Sequence, residues 1–169
     1  MSRISAQALL AAVQKIRAMS AGQKERLAEE LFREQPNMLA SFLVQKQLGV
    51  SLEKMEFLVD VLFICFQAMK ESGLTWPLIT EDEQDKQMAR YVGVVNFGKD
   101  LSSSLQSRAS RQYLEGYPEQ NLQAFVIVEL NDWLGRVVPE ETDKYVVLAA
   151  MNLVNCIAFV PMPALTPEA

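Results

Sequence analysis

The sequence predicts an all-α fold, a single-domain helical bundle of about six or seven helices, and three observations carry that prediction. Apolar residues recur at helical spacing almost from end to end. Capping residues, prolines and glycines fall where helices must begin and stop. Nothing alternates strand with helix, and the two most apolar runs, Met55–Met69 and Tyr145–Val160, fall short of the ~20 residues that a membrane span needs. The bundle is expected over residues 1–160, with a Pro-rich C-terminal tail over 161–169.

Leu9, Ala12, Val13, Ile16 and Met19 form the stripe of a first helix, with Gln7, Gln14, Lys15 and Arg17 around it. Ser20 and Gln23 make a capping-box pattern that opens a second. Its apolar face reads as Leu27, Ala28, Leu31 and Phe32. Its outer face pairs Arg26 with Glu30 and Glu29 with Arg33 at i,i+4. Pro36 ends that helix, and Leu39, Phe42 and Leu43 mark a third that runs to Gly49.

Ser51 opens the longest helix, to about Ser72, where Gly73 stops it. Its polar stripe is narrow (Glu53, Glu56, Asp60, then Gln67, Lys70 and Glu71), and Phe63 and Ile64 interrupt it. A helix apolar nearly all round is buried nearly all round, so this is the central helix. Leu74–Ile79, with Trp76-Pro77, reads as an extended connector. Thr80 with Glu81, Asp82 and Glu83 places acids at a helix N-terminus. Gly93, Gly98 and the serines from Ser102 to Ser110 lower helix propensity, so the helix to Leu114 is expected to be broken or kinked near Gly98. Gly116-Tyr117-Pro118 is a break. Two more helices are expected at Glu119–Leu134 and Glu140–Val160, the last forming the buried pair with Ser51–Ser72.

The chain contains no histidine, so catalytic triads, Cys-His dyads and mixed-ligand zinc sites have no imidazole to work with. Cys65 and Cys156 lie in separate apolar runs without CxxC-like spacing and read as reduced core thiols of a cytoplasmic protein. The N-terminus lacks the basic-then-apolar-then-small pattern of a secretory signal. A net charge of −5 argues against nucleic acid and against a polybasic membrane role. Half the residues are hydrophobic and 22% are charged, more apolar material than a monomeric surface needs. A protein partner or self-association, a homodimer in the simplest case, is therefore expected.

Three constellations carry chemistry on paper. Gly93-Val94-Val95-Asn96-Phe97-Gly98-Lys99 satisfies G-x-x-x-x-G-K, but Asp100 stands where Ser or Thr should hold magnesium. The intervening residues are bulky, and a bend or close helix crossing explains the glycines better. Carboxylates at helical spacing occur as Glu25/Glu29, Glu53/Glu56/Asp60 and Glu129/Asp132. The second set is to be balanced by Lys54, by Arg90, Arg108 or Arg111, or by a cation. Asn152 and Asn155 sit at i,i+3 within an otherwise apolar run and each needs a hydrogen-bond partner.

The function expected from these residues is a non-enzymatic interaction module (adaptor, inhibitor or regulatory subunit) with no metal or cofactor. Its surface is expected on the central helix at Phe63 and Ile64, flanked by Glu56, Asp60 and Gln67. The alternative is a small-molecule-binding bundle anchored by Asp60, Asn152 and Asn155. A third class is a Mg²⁺-dependent hydrolase that uses helix-borne carboxylates.

Overall fold

Residues 2–99 and 102–163 are described by a computed structural model, in which eight helices and no strand occur among the described residues. The helices are α1 (Ala6–Ala18), α2 (Ala21–Glu34), α3 (Pro36–Gln47), α4 (Leu52–Glu71), α5 (Glu81–Lys99), α6 (Ser103–Glu115), α7 (Gln120–Arg136) and α8 (Asp143–Phe159). The helix expected from Thr80 to Leu114 is two: α5 ends at Lys99, and Ser102, extended, precedes α6. That break is why the count is eight.

Local chemistry sets the helix ends. The Ser5 hydroxyl accepts from the Ala8 N–H at 3.1 Å, and Ser51 does the same for Lys54 at 3.3 Å. Ser20 and Gln23 complete the capping box in both directions. Pro36 occupies the first turn of α3, where its missing N–H costs nothing. Gly73 ends α4 with φ +70°, a left-handed conformation that a side chain would strain.

α4 and α8 each bury twelve side chains and pack on each other as the core pair. α1 lies along α4 with Ala8, Leu9, Ala12, Val13 and Ile16 buried, each large aliphatic contributing roughly 1.5–3 kcal/mol by leaving water. α2 and α3 flank α4, α7 packs on α1, α4 and α8, and α5 packs on α8. α6 packs mainly on α5 and buries none of its side chains.

Polar side chains sew the irregular segments down. Gln35 donates to the Pro77 carbonyl at 2.8 Å and accepts from the Ile79 N–H at 2.9 Å, and Asn37 donates to the Ile79 carbonyl at 3.0 Å. These bonds satisfy the extended connector expected at Leu74–Ile79. Glu119, fully buried, accepts from the N–H groups of Arg3 at 2.7 Å and Ile4 at 3.2 Å. The Arg3 guanidinium donates to the Val160 carbonyl at 2.8 Å, a cation at the negative end of α8.

Two surface expectations need correction. Phe32 is 67% exposed, because the face of α2 that meets the bundle ends at Leu27 and Leu31. Glu30 pairs with Lys70 on α4 at 2.7 Å, since a cross-helix lysine reaches it better than Arg26 does. No helix among the described residues is long and apolar enough to cross a membrane. Residues 161–163 of the expected tail are non-helical, and 164–169 lie outside the described residues.

Candidate functional site

The expected partner surface does not form as a unit. Phe63, Ile64 and Gln67 are buried, while Glu56 and Asp60 are exposed. The exposure assigned to Phe63 and Ile64 is thus overturned: α1, α2, α3, α7 and α8 surround α4, leaving the apolar interruption of its polar stripe covered. Aspartates placed there would test packing instead of a surface. Glu56, Asp60 and Phe63 still meet in a shallow groove of about 670 Å³ beside Leu43 and Leu52. Asp60 pairs there with Lys24 at 3.3 Å.

The balancing cations also differ from expectation. Lys54, itself buried, turns away from the carboxylate ladder, 2.6 Å from the buried Asp143 and 2.7 Å from the exposed Glu140, and donates to the Val138 carbonyl at 2.9 Å. Burial disfavours the Lys54 ammonium, but its two carboxylate partners outweigh that and hold its pKa above the usual lysine value. Burial alone would push Asp143 up; the hydrogen bonds from Lys54 and the Glu140 N–H prevail and hold it below the usual range. The cluster pins the start of α4 to the start of α8. Arg90 instead lies over the Phe159 ring at 3.7 Å, and Arg108 and Arg111 are exposed on α6. Among the described residues no three Asp, Glu or Cys side chains gather as a metal-holding group. Gly93 to Lys99 lie inside α5, so the phosphate-loop pattern has no loop; Asp100 lies outside the described residues.

Asn152 and Asn155 are both buried on α8, and Asp60 does not join them. The Tyr117 hydroxyl donates to Asn155 Oδ1 at 2.6 Å, and burial raises the Tyr117 pKa so that it stays protonated. Asn152 Nδ2 donates to the Gln84 carbonyl at 3.2 Å, while its Oδ1 has no donor among the described residues. Asn152 lines a cleft of about 260 Å³ between α3, α5 and α8. Gln45 enters the same cleft from α3: its Nε2 donates to the Ser41 carbonyl at 3.0 Å and its Oε1 likewise finds no donor. Both amides are oriented by the carbonyl that receives their N–H, so each oxygen is left over by geometry. Asp85 stands at the cleft, whose walls are otherwise mainly apolar and include Cys156. Burial pushes the Cys156 thiol up to about 12, so no thiolate is available there near neutral pH.

A second concavity is larger and apolar. It measures about 830 Å³ and lies between α5, α6 and α7, with Tyr91, Val94, Val95, Tyr113, Ile127 and Met151 in its walls. Of these two places the sequence marks only Asn152, in the smaller cleft. Gln45 stands after Met38 and Phe42 at the spacing of one helix face, a signal that it points inward. Ala109 and Tyr113, four apart on α6, mark the apolar side of a helix otherwise rich in serine and arginine. In comparisons with known proteins, no family model, no curated protein and no solved structure matches this chain.

Proposed function

We propose that this chain is a non-enzymatic protein-interaction module that receives an apolar helical segment of another polypeptide in the groove between α5, α6 and α7. One observation supports this most directly. α6 carries Leu105, Ala109 and Tyr113 at i, i+4 and i+8, yet none of its side chains is buried. A helix of 13 residues is marginal in water on its own, and an apolar stripe gains stability only when something covers it. Val94 and Val95 on α5 line the groove and are exposed, and Val128 on α7 is exposed in an adjoining groove that shares Leu114 and Ile127 with it, which makes the surface broad as well as apolar. Docking an amphipathic helix into such a groove is a common recognition mode. Arg108 and Arg111 favour an occupant with carboxylates beside its apolar face. A second copy is the simplest occupant, because the chain itself is acidic and built of amphipathic helices.

The test compares the natural chain with a Val95→Asp, Ala109→Asp double variant by sedimentation equilibrium and by affinity capture from the native host. The expected result is a complex, either a dimer or a heteromer, that the variant loses while its helical circular dichroism is kept. Identical solution mass and identical captured proteins for both chains would refute the proposal.

A further inference from the structure

We infer that the groove between α5, α6 and α7 also binds a medium-chain aliphatic carboxylate, its head on Arg90 and its chain along the apolar walls. The inference goes beyond helix docking and does not rest on it. Among the described residues Arg90 is the only charged side chain in the walls, and no Asp or Glu lines them, although the chain as a whole carries a net charge of −5. The groove is thus a positive spot on an acidic protein, which draws anions and repels cations.

The polar groups around Arg90 suit a carboxylate head. Its guanidinium lies over the Phe159 ring at 3.7 Å and forms no ion pair among the described residues. A guanidinium laid on a ring uses its face for that contact and keeps its in-plane fork of N–H donors free, the edge that grips a carboxylate with two bonds. Tyr91 and Tyr113 line the groove too, and neither hydroxyl, unlike that of Tyr117, has a hydrogen-bond partner among the described residues. Burial raises the pKa of both, so each stays protonated and able to donate, and the opposing pull of the Arg90 charge on Tyr113 places that cation near its hydroxyl. A carboxylate only accepts, which matches donors on every side. Val94, Val95, Ala109 and Ile127 supply the apolar contact for the chain. A volume of about 830 Å³ falls within the range of small-molecule sites. Along α6 the walls run from Tyr113 to Gln106, a rise of about 10 Å, which sets a medium chain length.

The experiment is isothermal titration calorimetry of the full chain at neutral pH with sodium decanoate below its micellar range. Decyltrimethylammonium, with the same tail and the opposite charge, and propionate, with the head alone, are the controls. Decanoate is expected to saturate near one per chain at millimolar concentration or below, decyltrimethylammonium to bind about ten-fold more weakly, and propionate not at all. Arg90→Gln, at an exposed position that does not endanger folding, should weaken decanoate about ten-fold without weakening decyltrimethylammonium. Tyr113→Phe should weaken decanoate a few-fold, and Val95→Asp, which sets a carboxylate among the apolar walls, should abolish its binding. Equal affinity for decanoate and decyltrimethylammonium would mean that the walls take any alkyl chain and would overturn the inference. So would an absence of decanoate binding, uptake that never saturates, or decanoate affinity unaffected by Arg90→Gln. Helix docking is read from solution mass and captured proteins, so decanoate binding can fail while docking persists, and the reverse.

Discussion

The seam between α1 and α4 and the seam between α5 and α8 are built from different material. Along the first, α1 contributes aliphatic side chains and alanines, and α4 answers with an almost wholly apolar surface. Along the second, Gln87 is the only buried side chain among the described residues of α5, and it meets the bundle together with Gln84 and Asn152. Among the described residues, the buried side-chain oxygens without donors are on Gln87 of α5, on Asn152 of α8 and on Gln45 of the neighbouring α3, and none is on the α1–α4 seam. Apolar burial is non-directional and adds with area, whereas each amide stabilises only if both its ends are met. One seam is a fixed body; the other is a polar attachment with oxygens to spare, carrying α6 at its far end.

The largest consequence is for the first seam. Ile16→Ala removes a side chain that is 2% exposed on α1 and should cost about 2–5 kcal/mol in urea-induced unfolding, by lost transfer energy and the cavity left behind. A loss well under 1 kcal/mol would show that α1 is not fixed as described.

Glutamine-to-methionine substitution should act with opposite sign at two places. Gln35 is satisfied at both ends by Pro77 and Ile79, so Gln35→Met strands a buried carbonyl and a buried N–H and should cost about 1–3 kcal/mol. Gln87 donates to Glu83 at 2.8 Å, but its oxygen has no donor, so Gln87→Met removes an uncompensated buried acceptor. It should raise stability by about 1 kcal/mol. Urea midpoints that fall for both variants would mean that the attachment of α5 is satisfied after all.

How much of this the sequence could reveal depends on the kind of interaction. Ser20 with Gln23, Ser51 and Gly73 act within a few residues of themselves, and the helix ends they set were legible. The pairing of two buried helices came from the length of their apolar runs. Periodicity says which face of α4 is apolar but not how many helices will surround it, and so a surface at Phe63 and Ile64 was the wrong expectation. Likewise Lys54 stands one residue after Glu53, yet its partners come from 84 to 89 residues away in the chain. The cleft was half visible, in Asn152; Gln45 and Asp85 reach it from two other helices, a juxtaposition that no local pattern encodes.

Proton linkage separates the body from its chain-terminal clamp. Lys15 and Gln67 hydrogen-bond Glu71 and hold it below the usual carboxylate range, as Lys54 holds Asp143. With folded pKa values below the unfolded ones, their stabilisation is complete above the unfolded values and is lost as pH falls through the folded ones. Burial raises Glu119 against the pull of its two N–H donors, so its folded pKa exceeds the unfolded one. Its contribution therefore declines as pH rises from about 4.3 through the raised value. Urea midpoints measured across pH should fall on the acid side, and Asp143→Asn should shallow that limb. Glu119→Gln should flatten the decline on the other side only. A Glu119→Gln profile parallel to that of the natural chain would place the Glu119 carboxyl in water.

The smallest effect belongs to the far end of the polar attachment. Val95 on α5 is 40% exposed, and the helix it faces across the groove buries nothing, so Val95→Ala should change stability by less than about 0.5 kcal/mol. Native-state hydrogen exchange of the purified chain at low concentration should show the same hierarchy, with α6 amides opening far more readily than those of α4 and α8. Protection of α6 that rises with protein concentration would mean that a second copy supplies the missing cover. Protection as strong as that of α4 at every concentration would mean that α6 needs none, and the contrast between the two seams would then lose its functional meaning.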